Sequence, residues 1–382
     1  MTRQWRRCGA ILALVVSVAA CAAASSDARG GYLATIERYI TLTSSVAANG
    51  DLNPSAVVVA PATIGKLQAG DVLVNNSNNI SNLQGTGTTI VSYRPSTKET
   101  SLFAQLPRKL AGCPGGVGFS GSMAVLKSGW VIVGSAPSMD GTTATKGAGC
   151  LLVLDAEGRL ATTWAGPMID CPWGNIEVIE QGERATLFVA MAGFDVPALS
   201  VRDPRTGYPV TVRKGTVLRL EIALRDGAPP ELVEQTVIGD GFSERADLDN
   251  FLFGPTGLAL RPDGALLVSD GLDNRITVIE HAATRTDSAG TGTLLTEGGL
   301  LAWPLNMAMT SEGTLLVCNG RNGLVVELDP MTGRQIYARW IDIDQTQAPP
   351  GNGNLFGLTM KPDGRGFYFV ADDTNALVEA TR

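Results

Sequence analysis

Six oxygen-bearing side chains stand at matching points of short apolar runs, and they are the residues most able to do chemistry. Asn76, Asp270, Asn319 and Asp372 close such runs, while Asn175 and Asn306 open them. Carboxylates and amides gathered at one opening make the ligand set that hard cations such as Ca²⁺ prefer. Asp270, Asp372, Asn175 and Asn306 are therefore the candidate metal ligands, and Ca²⁺ is the cofactor they would take. Without an ion, the amides of Asn175, Asn306, Asn319 and Asn76 could hold a protein, glycan or small-molecule ligand by hydrogen bonds. A structural reading stands beside each. Asp and Asn after a strand commonly cap the following turn, and Asp270 near Asn274 and Arg275 reads first as one half of an Asp–Arg contact.

Other chemistries lack their parts. The chain has a single histidine, His281, so no His dyad or His-based metal cluster can be assembled. A serine triad lacks its base for the same reason. Gly118-Phe119-Ser120-Gly121 has only the second half of a nucleophile elbow. The glycine-rich run from Gly112 to Gly121 contains no Lys and leads into no helix, which excludes a phosphate loop. Net charge is −7, with no Lys/Arg cluster beyond the first residues, so there is no electrostatic footprint for nucleic acid.

The elements that must position the oxygen donors form a repeat. Gly257 to Glu280, Asn306 to Asp329 and Gly357 to Thr381 each read as apolar strand, PDG or SEG turn, apolar strand ending in Asp or Asn, polar turn, third strand. Their turn glycines Gly264, Gly313 and Gly364 lie about 50 residues apart, a blade period. Weaker copies surround Gly182, Gly129 and Gly70 in Asn175 to Met191, Ser122 to Ser135 and Ala56 to Asn76. Six units predict an all-β, six-bladed β-propeller spanning 25–382 as one domain. The last unit stops after three strands, so Tyr32 to Leu42 is expected to supply the outermost strand of blade 6 and cover its edge.

Antiparallel pairing puts the start of each inner strand beside the end of the second, at one mouth of the ring. Counting back seven from the turn glycines sets those starts at Ser122, Asn175, Gly257, Asn306 and Gly357, with Ala56 the closest equivalent in blade 1. The matching ends are Asn76, Ser135, Met191, Asp270, Asn319 and Asp372, which predicts an oxygen-rich opening. Long insertions run from Ala136 to Gly149 in blade 2 and from Gly193 to Lys214 in blade 3. The second carries Phe194, Val196, Leu199, Tyr208 and Pro209, too apolar for an exposed loop. It is expected to pack over the mouth as a lid or as part of an interface, making that side the functional face.

The run LLVSDGLDNRITVIE resembles the NHL repeat, and GDVLVNNSNNISNLQGTGTTIVSY and CPGGVGFSGSMAVLKSGWVIVGS resemble secreted bacterial NHL-repeat proteins of six blades. That resemblance implies a binding module acting through the channel mouth and insertion loops. The alternative is a calcium-dependent lactonase or esterase, similar to the gluconolactonase and paraoxonase type. Such enzymes supply a Glu near the first inner strand, where this chain reads Asp51-Leu52-Asn53-Pro54. NHL-type lyases depend on histidines, which this chain does not supply.

Arg3, Arg6 and Arg7 precede the apolar run Ile11 to Ala20, a secretory leader too short to span a bilayer. Two endings are open. Val18-Ala19-Ala20-Cys21 matches a lipobox, which would acylate Cys21 and leave a periplasmic or outer-membrane lipoprotein. Ordinary cleavage near Ala24 would end the leader at 1–24 and release a free periplasmic or extracellular form. The only membrane contact expected is that lipid anchor. In an oxidising compartment Cys113 and Cys150, both at the mouth end of blade 2, are expected to pair. Cys171 is the other partner considered, and Cys318 in an apolar strand is expected to be a buried free thiol.

Overall fold

The computed structural model describes residues 30–248, 250–341, 351, 353 and 355–382. The leader and Cys21 lie outside the described residues. Six antiparallel sheets follow one another along the chain, and each packs its inner strand against that of the next blade. Blade 6 meets blade 1, so the ring closes. The inner strands are Leu52–Val59, Phe119–Val125, Pro172–Gln181, Pro255–Leu260, Pro304–Met309 and Leu355–Met360. Second strands such as Leu266–Asp270 and Leu315–Asn319 are buried at every position, because a neighbouring blade covers each face. That explains their unbroken apolar runs. Outer strands such as Thr293–Glu297 are largely solvated.

Closure of blade 6 uses Arg38–Ser44, which pairs antiparallel with Ala376–Thr381. The expected strand therefore begins later than Tyr32. Tyr32–Thr35 is instead a turn of 3-10 helix. Buried Glu327, in the third strand of blade 5, accepts the Tyr32 N–H at 2.8 Å and the Leu33 N–H at 2.7 Å. This grip draws the segment out of the sheet plane. Tyr32, Leu33 and Ile36 bury their side chains among blades 5 and 6, and the Tyr32 hydroxyl donates to the Gly364 carbonyl at the first hairpin turn of blade 6. The N-terminal segment is thus latched on the face where the first hairpin turns lie.

A register slip interrupts every inner strand, between Pro54/Val57, Phe119/Met123, Trp173/Glu177, Pro255/Leu258, Pro304/Met307 and Leu355/Leu358. The strand starts counted from the turns fall inside these bulges, since counting from the turn captures only the regular part of each hairpin. Crowding at the axis sets what the bulge can hold. A Cβ on Gly174 would stand 1.8 Å from the Thr256 carbonyl oxygen, and one on Gly257 2.1 Å from that of Leu305. Longer side chains at the bulges stitch one blade to the next. Asn75 donates to the Ser120 carbonyl at 2.6 Å, and Ser120 Oγ to that of Pro172 at 2.6 Å.

Blade 3 departs from the others. Its third and fourth strands lengthen to Val212–Arg225 and Ala228–Ala246, and Leu252–Phe253 adds a short fifth strand. Cys113 and Cys150 are joined, closing a loop with a sequence separation of 37 at the base of the blade 2 insertion. Cys171 and Cys318 are buried free thiols, and burial pushes the Cys318 thiol up to about 12.

Candidate functional site

The predicted oxygen donors are all at or near the mouth end, but most are engaged within the scaffold. Asp270 is fully buried and takes both Nε (3.1 Å) and Nη2 (2.9 Å) of Arg275, its cross-strand neighbour. Burial and nearby Asp273 push its acid up to about 6, with Arg275 pulling the other way. Asn175 imitates a peptide group: it donates to the Leu258 carbonyl at 2.7 Å and accepts the Leu258 N–H at 2.9 Å, tying blade 3 to blade 4. Its amide also donates to Glu177, whose burial raises the acid to about 7. Asn76 donates to the Ser45 carbonyl and to Thr89 Oγ1, and Asn319 donates to the Leu300 carbonyl and to Asn322. The Oδ1 atoms of Asn76, Asn306 and Asn319 are buried and have no hydrogen-bond partner. Asp372 lies half-buried in the turn after the second strand of blade 6.

Two of the four candidate metal ligands are engaged within the scaffold. Asp270 is neutralised by Arg275, Asn175 is used by Leu258, and the three orphaned amide oxygens bring no negative charge. Among the described residues no group of three or more His, Cys, Asp or Glu side chains could hold a metal ion.

What occupies the mouth is apolar. Trp173, Leu305, Phe356, Phe251 and Phe253 share one buried cluster with Trp303 and Leu272. Trp173 meets Phe356 edge-on at 5.8 Å and Phe251 at 6.4 Å, and Phe253 meets Trp303 at 4.3 Å. Phe356 crosses the axis from blade 6, so that a Cβ on Gly121 of blade 2 would lie 2.5 Å from its ring. The opening predicted to be oxygen-rich is closed by rings.

A cavity of about 210 Å³ sits beside this plug, beneath the blade 3 insertion. The insertion supplies Leu199, Arg202, Tyr208 and Pro209, blade 3 and its exit supply Arg245, Asp247, Leu248 and Asn250, and blade 5 supplies Trp303 and Arg321. Among the described residues, three guanidinium groups therefore share one small space with one carboxylate. Aromatic faces hold two of them in place: Arg321 lies 3.8 Å over Trp303, while Arg245 lies 5.2 Å from Tyr208 and 5.7 Å from Trp303. Arg245 Nε is buried without a hydrogen-bond partner. Burial draws its pKa down, with Asp247 pulling the other way and the neighbouring Arg321 adding to the fall. Arg202 donates to the Gly207 carbonyl within the insertion at 3.0 Å. The insertion is anchored by Phe194 and Val196 in the apolar layers and by Thr143 of the other insertion, which donates to the Pro197 carbonyl.

Glu244 precedes Arg245 and faces the opposite side of the strand. It is fully buried, and neither carboxylate oxygen has a hydrogen-bond partner. Desolvation, reinforced by Asp170, pushes its acid up to about 9, and Lys146 opposes this while ion-pairing with Asp170 at 2.9 Å. Glu244 is therefore protonated at neutral pH. The sequence reading singled out the insertion and the face, but it missed Arg202, Arg245, Trp303 and Arg321. The signal available was Trp303 directly before an inner strand and Arg321 in the turn directly after Asn319.

No protein-family model matches the sequence, and no curated protein matches it. The fold does match solved structures. A protein assigned as a gluconolactonase is 14% identical, with 92% of this chain and 96% of that one covered and a TM-score of 0.55. A gluconolactonase from Xanthomonas campestris is 16% identical over 92% of each chain, with a TM-score of 0.52. The calcium-binding protein regucalcin from Agrobacterium tumefaciens is 12% identical, covering 88% of this chain and 93% of that one, with a TM-score of 0.52. At such identities the likeness establishes the architecture: the chain is a six-bladed β-propeller of the shape that gluconolactonases and regucalcin share.

Proposed function

We propose that the chain is an exported propeller that binds a small anionic organic molecule in the cavity beneath the blade 3 insertion. The observation that carries this reading is the set of Arg202, Arg245 and Arg321 around one cavity, none of them in a salt bridge among the described residues. A bound anion would supply the missing counter-charge, and guanidinium forks suit carboxylates. Thermal-shift screening tests it. Small organic acids should raise Tm of the wild type and leave an Arg245→Gln/Arg321→Gln variant unmoved, whereas neutral sugars should move neither. Equal shifts in both proteins would place the binding surface elsewhere.

A second reading is a lactone or ester hydrolase, favoured by the scaffold shared with gluconolactonases. Opening a lactone releases a carboxylate, the anion the same arginines would receive. Calcium would serve in this reading as the Lewis acid, with the unpartnered amide oxygens of Asn306, Asn319 and Asn76 as the available donors. Acid release from a lactone panel, followed with and without added Ca²⁺ and with chelator, decides it; no turnover under any of these conditions removes the reading. Export and lipidation are tested by radiolabelled palmitate, which should enter the wild type and not Cys21→Ala.

A further inference from the structure

The three guanidinium groups do not come from one wall. Arg245 belongs to the outer part of blade 3, Arg321 to a turn of blade 5 and Arg202 to the insertion. Their positive charges are distributed around the cavity and, among the described residues that line it, outnumber the carboxylate of Asp247. A phosphomonoester concentrates its charge at one point. A ligand that neutralises separated cations carries its negative charges apart. Leu199, Leu248 and Pro209 lie among the charges and offer an apolar surface, which suits methylene groups and not a polyhydroxylated chain.

Size and rigidity narrow the choice further. At about 210 Å³ the cavity falls below the roughly 300–1,000 Å³ of sites that take drug-sized ligands. Stacking on Trp303 and Tyr208 fixes the planes of Arg321 and Arg245 before any ligand arrives, so little ordering entropy remains to be lost on binding. Trp303 is contacted by Arg321, Arg245 and Phe253, so its ring serves to position the cations.

We infer that the cavity takes a short-chain dicarboxylate, with one carboxylate between Arg245 and Arg321, the other at Arg202 and the methylenes against Leu199 and Leu248. This rests on the anion-binding reading above and deepens it.

Calorimetry with succinate, glutarate, butyrate and inorganic phosphate, on the wild type and on Arg321→Gln and Arg202→Gln, tests it. Succinate or glutarate should bind, and butyrate, lacking the second charge, should bind roughly tenfold more weakly. Each variant should lose roughly tenfold for the dicarboxylates while remaining folded by circular dichroism, with Tm lowered by no more than the loss of the Trp303 contact or of the Gly207 hydrogen bond requires. Butyrate or phosphate binding as tightly as the dicarboxylates, with the loss still seen in Arg321→Gln, would overturn the dicarboxylate assignment and leave the anion reading standing. Absence of binding by all four anions at millimolar concentration, or unchanged binding in both variants, would overturn both.

Discussion

Blades 3 and 4 each bury a carboxylate at the same end of the ring, Glu244 and Asp270, and surround it differently. Asp270 meets the fork of Arg275 across its hairpin and the Asp273 N–H at 3.4 Å. Glu244 meets nothing that bonds it, and burial keeps it protonated. A third buried carboxylate, Glu327 in blade 5, grips two backbone N–H groups of the N-terminal segment. Blades 4 and 5 follow the repeat, and their buried acids are built into it. Blade 3, with its long strands and insertion, leaves one unsatisfied beside the arginine cavity. A buried polar group without a partner lowers stability, and such tensions gather where a fold serves something other than itself.

Breaking the paired carboxylate should have the largest effect. Asp270→Ala leaves Arg275 half-buried and uncompensated and is expected to destabilise by about 3–5 kcal/mol in urea titration; a loss no greater than that of a surface substitution would mean the pair is incidental. Glu244→Gln should act in the opposite direction. Its folded acid sits above the unfolded one, so the stability it contributes is full at acid pH and drains away as pH climbs toward about 9. The variant's advantage over wild type should therefore grow by about 4 kcal/mol between pH 5 and pH 8. A constant offset between the two proteins across that range would show that Glu244 titrates normally.

Glu327→Gln replaces one of the two accepting oxygens with an NH2 that cannot accept and removes the charge from the other, and should cost about 2–3 kcal/mol. It should also expose the segment before Arg38 to protease while the rest of the ring resists. Uniform cleavage of both proteins would mean the grip contributes nothing to holding the segment.

The propeller and the Asp270–Arg275 pair were legible in the sequence because both are local: a period repeats, and a hairpin sets cross-strand neighbours by counting. Asn175 was legible as unusual, but its role was not, since its partner Leu258 lies 83 residues away. The aromatic plug escaped notice for a related reason. Trp173, Trp303 and Phe356 precede the regular hairpin pairing, inside or just before the bulges, where counting from turns loses register. Arg202 and Arg245 sit in the parts of blade 3 that repeat nothing, so no period could bring them to Arg321.

The latch of Tyr32 and Leu33 on Glu327 also sets an orientation. Gly30 lies beside that latch on the hairpin-turn face, and the arginine cavity opens on the opposite one. A lipid on Cys21 would therefore hold the molecule like a cup on a leash tied to its base. The rim would face away from the bilayer, toward dissolved molecules, and a ligand could enter or leave without passing the membrane surface.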